Sequence, residues 1–452
     1  MKSYLLKMKL KGIKNIDKEI EINFYNKVLK KNFDLNESNI KAIYGANGAG
    51  KSAIVNAVDI YKKLILKNNF LFDNEHKRYL LEIINKKQKE CSIEMTYLFY
   101  FAQQDNSIIK VFNHFINLEV DKNDEVIVKK EKLEILNRVN LNKKSVVYET
   151  EYNNIIYSDY SSALLEKHTT NLLRKNLISS IILHSDEKVH MEYINSEIEK
   201  EKMIFSSIYS NITFALDLNV EFPYEDSHSS IYNKNLLSFA QSMDVHESTI
   251  YNLNKNMLSL NSSFSINEDL IYINDKEKYL NEIGNLFKFV KIFKPSLKKI
   301  EVEFKENGEF LVCSKYFCYE GYRIYSDFES NGVKKLVSLY VAFKQLNNGA
   351  IVFIDELDAN LHDVYLCKLL EYFAMYGKGQ LCFTTHNLAP MEILSKRKHS
   401  IDFLSDDSQI TSWVKQGNYS AVNLYRNGMI SNSPFNIEPF EFLGVFEEGD
   451  NE

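Results

Sequence analysis

Residues Gly45 to Ser52 read GANGAGKS, and no other stretch restricts the possible folds of this chain so strongly. The preceding NIKAIY (39–44) is a short apolar run bounded by polar residues, which predicts a strand. The following SAIVNAVDIYKKLILK (52–67) carries apolar residues at helical spacing. A strand–turn–helix of the form G-x-x-x-x-G-K-[ST] lets backbone N–H groups close around phosphate oxygens, with the positive end of the helix dipole beneath the same charge. On this reading Gly45, Ala46, Asn47, Gly48, Ala49 and Gly50 form the cradle. Lys51 reaches the β- and γ-phosphates, and the Ser52 hydroxyl ligates Mg²⁺. ATP and Mg²⁺ are the expected cofactors.

Such a cradle needs a second magnesium-binding acid at the tip of a neighbouring strand. AIVFIDE (350–356) offers one, because the apolar run Ile351 to Ile354 ends in Asp355 and Glu356. Asp355 is expected to hold Mg²⁺ through water, and Glu356 to polarise the attacking water. QLCFTTH (380–386) ends a further strand at His386, placed to contact a γ-phosphate and sense its loss. His362, in LDANLH, reads equally well as a site residue or as a surface histidine.

The chain has 452 residues, 26% of them charged, and a net charge of -6, which argues against wholesale coating of nucleic acid. Its five cysteines are scattered, and no run of about 18 apolar residues occurs, so a reduced, cytoplasmic compartment and no membrane span are expected. Residues 91–131 read as an antiparallel sheet, and 160–298 as mostly helical. After Pro295 strands alternate with helices, which predicts a mostly parallel α/β sheet. Four segments follow: 1–150, with the cradle and antiparallel strands; 151–298, a helical insertion serving as internal core or as a dimer or partner surface; 299–430, with the acids and histidine; and 431–452, an aromatic then acidic tail.

The order GANGAGKS, ESNGVKK (329–335), VFIDELDANLH, FTTHN resembles the ABC-type ATPases of the RecF and SMC class. More narrowly, it resembles the compact ATPases of bacterial phage-defence systems: the RloA and AbiL abortive-infection ATPases, the ATPase subunits of Septu and PARIS, and the ATPase domain of overcoming-lysogenization-defect nucleases. The resemblance covers about the first 70 residues and 300–430. It implies an α/β ABC-ATPase head, with a mostly parallel P-loop sheet plus an antiparallel β subdomain and a helical insertion. It also implies that Ser330 and Gly332, at a helix start, contact the γ-phosphate of a second subunit, sandwiching two ATPs in a homodimer. The stretch lacks the Leu and second Gly of the transporter motif LSGGQ. No counterpart of the Q-loop glutamine is assigned. Lys14 stands about where relatives carry a basic residue near the phosphates, and reads equally as an exposed lysine.

The implied function is an ATP-gated homodimer controlling an effector, a separately encoded nuclease, since no nuclease centre is expected within this chain. A RecF-like DNA-repair ATPase and a slowly hydrolysing scaffold are the alternatives. Nucleic-acid contact through KFVKIFKPSLKK (288–299) is left open.

Overall fold

The computed structural model describes residues 2–25, 29, 34, 38–101, 107–160, 162–223, 268–397, 399–414 and 419–430. The tail 431–452 and the part of the expected helical insertion at 224–267 lie outside the described residues. In chain order the elements are β1 (Lys2–Lys11), β2 (Ile20–Asn23), β3 (Ile40–Gly45), α1 (Lys51–Leu66), α2 (Asn74–Ile83), β4 (Glu90–Phe101), β5 (Ser107–Val120), β6 (Val126–Leu136), β7 (Lys144–Glu151), β8 (Asn154–Tyr157), α3 (Ala163–Thr169), α4 (Ile178–Leu183), α5 (Glu187–Ile194) and α6 (Glu199–Asp217). There follow β9 (Leu218–Glu221), β10 (Glu268–Tyr272), α7 (Lys276–Phe293), β11 (Lys299–Asn307), β12 (Phe310–Cys318), β13 (Arg323–Tyr325), α8 (Asn331–Asn348), β14 (Ile351–Ile354), α9 (Asp363–Tyr376), β15 (Gln380–Thr384), α10 (Ala389–Leu394), β16 (Ile401–Leu404), β17 (Ile410–Ser412) and α11 (Ala421–Arg426).

A six-stranded sheet, in the order β17-β16-β3-β15-β14-β9, carries the glycine turn and the acids. All its pairings are parallel except β16 with β17, which residues 405–409 join as a hairpin turn. β3, β14, β15 and β16 are buried on both sides because successive side chains enter different cores. Ile351 and Phe353 join one apolar cluster with α1 and α6. Val352 and Ile354 join another with α8, α9 and α10. The expected neighbouring-strand placement of the acids is corrected here: β15 lies between β3 and β14, so Asp355 emerges two strands from the glycine turn.

The antiparallel sheet has seven strands, β2-β1-β4-β5-β6-β7-β8, and packs over α1. A buried polar network ties that helix down. Tyr61 Oη donates to Asn211 Oδ1 at 2.9 Å, and Glu131 accepts from the Tyr148 hydroxyl at 2.8 Å and the Ile178 amide at 2.8 Å. Such networks rigidify when their members are satisfied.

The 151–298 span is not only helical. β9 is the edge strand of the parallel sheet, and β10 belongs to a four-stranded sheet with β11, β12 and β13. Four residues after a long helix are too few to show a periodicity of their own, so β9 is invisible to pattern reading. Among the described residues no helix is long and apolar enough to cross a membrane. All five cysteines are free thiols.

Candidate nucleotide site

The turn from β3 into α1 is shaped by its glycines. Gly48 and Gly50 hold φ of 81° and 102°, a region that L side chains rarely adopt. A Cβ on Gly50 would stand 2.9 Å from Asn15 Oδ1 and from Ile16 Cγ1. The first turn of α1 has no side-chain cap and no acidic residue, which leaves its N–H groups to an anion. Lys51 folds over the turn, its Nζ donating to the Gly45 carbonyl at 2.9 Å and the Ala46 carbonyl at 2.8 Å. Burial holds the Lys51 ammonium below its ordinary pKa, while Asp355, Glu356, Asp358 and Asp406 pull it back.

The acids stand where β14 ends. Asp355 is buried, and its Oδ1 accepts from the Thr384 hydroxyl. The same hydroxyl accepts from the Glu356 amide at 2.9 Å. Glu356 has φ 47°, left-handed for a residue with no preference for that region. Four backbone bonds fix this bend. Asp355 N donates to Glu221 O (2.8 Å), Leu357 N to Thr384 O (3.1 Å), Ala359 N to Glu356 O (3.0 Å) and Leu361 N to Asp358 O (3.1 Å). Thr384 is therefore the clamp of the acid pair, a role that the sequence reading of FTTH missed. Thr384→Val should cost about 1–3 kcal/mol of stability, because it leaves a buried Asp355 oxygen and a backbone amide unpaired. Thermal melting of the purified variant measures this, and an unchanged melting temperature would show the clamp to be idle.

Asp355 Oδ2 is a buried oxygen without a hydrogen-bond partner among the described residues. One carboxylate with a spare lone-pair direction, together with the hydroxyl of Ser52 in the first turn of α1, is the kind of donor set Mg²⁺ accepts when phosphate oxygens and waters complete its shell. The residues present fit that ion. His386, just past β15, is exposed on one side and faces Lys51, Asp355 and Asp358 on the other. Its pKa is lowered, first by burial and then by the Lys51 charge, with the two aspartates opposing. The charges of Asp355 and Glu356 reach Lys51, and those of Lys51 and Asp355 reach His386.

The remaining expected residues fall less simply. Lys14 is exposed, in a turn with φ 51°, and its neighbour Asn15 makes the contact, donating through Nδ2 to the Gly48 carbonyl. Ser330 caps α8, its Oγ accepting from Val333 N at 3.4 Å, and none of its hydrogen bonds reaches residues 45–52. Gly332 leaves open space: a Cβ there would meet only the Asn360 carbonyl, at 3.8 Å. His362 is a helix cap, its Nδ1 accepting from Val364 N at 3.3 Å at the start of α9. In the lysine–aromatic segment 288–299, Lys291 donates to the Leu297 carbonyl at 2.6 Å, Lys294 lies over the Tyr319 ring, and Lys298 and Lys299 pair with Glu320 and Glu301.

A parallel sheet with a glycine turn under a helix start, facing an acid pair across one intervening strand, defines a P-loop nucleotide-binding protein. The chain belongs to the family described as "AAA domain, putative AbiEii toxin, Type IV TA system", whose model matches residues 40–392. No curated protein matches the chain. The match runs from the first residue of β3 into α10, so it takes in the P-loop, the acids and His386 alike.

Proposed function

We propose that this chain is a Mg²⁺-dependent ATPase that closes on ATP as a head-to-tail homodimer, and whose cycle controls a separately encoded effector, a nuclease, in antiviral defence. The observation that carries the ATPase reading is a glycine turn whose Lys51 lies within the charge of the acid pair, with Asp355 Oδ2 lacking a partner among the described residues. Residues 45–50 and the start of α1 cradle the phosphates, and Lys51 neutralises them. Ser52 and Asp355 hold Mg²⁺, which when bound neutralises charge on the phosphate oxygens. Glu356, oriented by Thr384, takes the proton of the attacking water. His386, favoured neutral at pH 7 by its lowered pKa, offers a hydrogen bond to the γ-phosphate.

Two features support closure by a second copy. The space at Gly332 admits close approach of another chain's phosphate to the start of α8. Phe328, two residues before Ser330, is 81% exposed, and such a ring is readily covered at an interface. The family's description, which names a toxin–antitoxin system, supports a defence setting. Lys291, Lys294, Lys298 and Lys299 have partners within the chain, which does not favour direct action on nucleic acid through this segment.

The test pairs mass with turnover. A hydrolysis-blocked Glu356→Gln chain should double in mass by light scattering when ATP and Mg²⁺ are added. Adding Ser330→Arg should prevent the doubling, and Ser330→Arg alone should lower turnover by about 10²-fold with ATP affinity kept. A Ser330→Arg protein that still pairs and turns over normally would sink the dimer.

A further inference from the structure

Lys335, the last residue of the ESNGVKK stretch, is a cation to which the proposed mechanism gives no role. Lys335 sits one turn into α8, is 3% exposed, and its Nζ has no hydrogen-bond partner among the described residues. The charges of Glu221, Asp355, Glu356 and Asp358 act on it. The packing agrees. Ser338, one turn further along the same helix face, donates to Glu221 Oε2 at 2.5 Å, and the Glu221 carbonyl accepts from Asp355 N at 2.8 Å. That face of α8 therefore lies over the ends of β9 and β14, with Lys335 above the acids.

The unpartnered atoms of this region complement one another. An ammonium has three N–H donors and no acceptor. Asp355 Oδ2 and Asp358 Oδ1 are both buried acceptors without a partner among the described residues. A buried ammonium and buried carboxylate oxygens left unpaired are each costly, so a small movement that joins them is favoured. Burial lowers the pKa of Lys335, and the four acids oppose that shift.

We infer that Lys335 is a positioning residue whose ammonium closes on Asp358 when the start of α8 is engaged, tying the Ser330–Gly332 end of that helix to the loop of the acid pair and leaving Asp355 Oδ2 to the metal. This rests on the ATPase reading above and adds to it a path from the helix start to the acids within one chain. A purely structural lysine behaves otherwise. Replacing a buried, unpaired charge by an apolar side chain of similar length is neutral or stabilising, and should leave turnover alone.

The experiment uses the full chain and four variants: Lys335→Met, Lys335→Arg, Asp358→Asn, and Lys335→Met with Asp358→Asn. ATP turnover, affinity for a trinitrophenyl-ATP probe and thermal melting are measured on each. Lys335→Met should lower kcat by at least about tenfold with KM and probe affinity within about threefold of wild type. Lys335→Arg should restore most of the turnover. Asp358→Asn should lose kcat in the same way, and the double variant should be no worse than either single one, because both break one interaction. Should Lys335→Met fail to fold, Asp358→Asn and Lys335→Arg carry the test, with turnover lost in the first and kept in the second. Normal kcat in Lys335→Met or Asp358→Asn, or losses that add in the double variant, overturn the assignment. A wild-type chain that binds the probe but never hydrolyses ATP defeats the ATPase reading instead.

Discussion

Lys51→Met should abolish nucleotide turnover, with a fall of about 10²–10³-fold, and should weaken Mg²⁺–ATP binding while the fold stays intact. The ammonium lies over the turn on the carbonyls of Gly45 and Ala46, within the pull of Asp355, Glu356 and Asp358. It is a fixed positive charge in a mostly dry place, where electrostatic stabilisation of a phosphate is far stronger than in water. Methionine keeps the stem and removes the charge. The change leaves two carbonyls without a donor, a loss of about 1 kcal/mol each, but it also removes the penalty of a desolvated ammonium. Melting temperature should therefore move by only a few degrees. Phosphate release and calorimetric titration with Mg²⁺–ATP check the two functional parts. Turnover within a few-fold of wild type would mean that the turn does not serve a phosphate.

How much of this was legible in the sequence depends on the range of the interactions. The glycine turn is local: its strand, its two left-handed glycines and its helix all fall within residues 40–66, so the motif and the structure agree. The run Ile351 to Ile354 likewise announced a strand buried on both faces. Glu221 and Lys335 were invisible, because their meaning depends on β9 and α8 coming together across 117 residues of chain, the separation of the Ser338–Glu221 hydrogen bond. Asn15, next to Lys14, was not singled out, because its bond to the Gly48 carbonyl joins two turns 33 residues apart and leaves no local pattern. Strand order was also hidden. Parallel strands joined by helices can be shuffled without altering any local pattern, and so β15 stands where an adjacent β14 was expected. The left-handed backbone of Glu356 has no signature either, because glutamate does not seek that region.

That last feature governs the second large effect. Glu356→Gln should lower turnover by about 10²–10³-fold, the range for loss of a general base, while ATP remains bound. Glutamine has the same shape, so the strained bend and its clamp persist: the amide still donates to Thr384 Oγ1, and Ala359 N still donates to the residue's carbonyl. Holding a residue other than glycine at φ 47° costs about 1–2 kcal/mol, and the bend survives because Glu221 and Thr384 fix the backbone on either side of it. A purely structural turn would place glycine or asparagine there. Glutamine removes only the carboxylate's charge and basicity, which is why the substitution should strike chemistry and spare binding. Single-turnover hydrolysis measured beside equilibrium ATP binding separates the two. Weakened binding with an unchanged hydrolysis step would remove Glu356 from the role of base and leave it a structural residue of the bend.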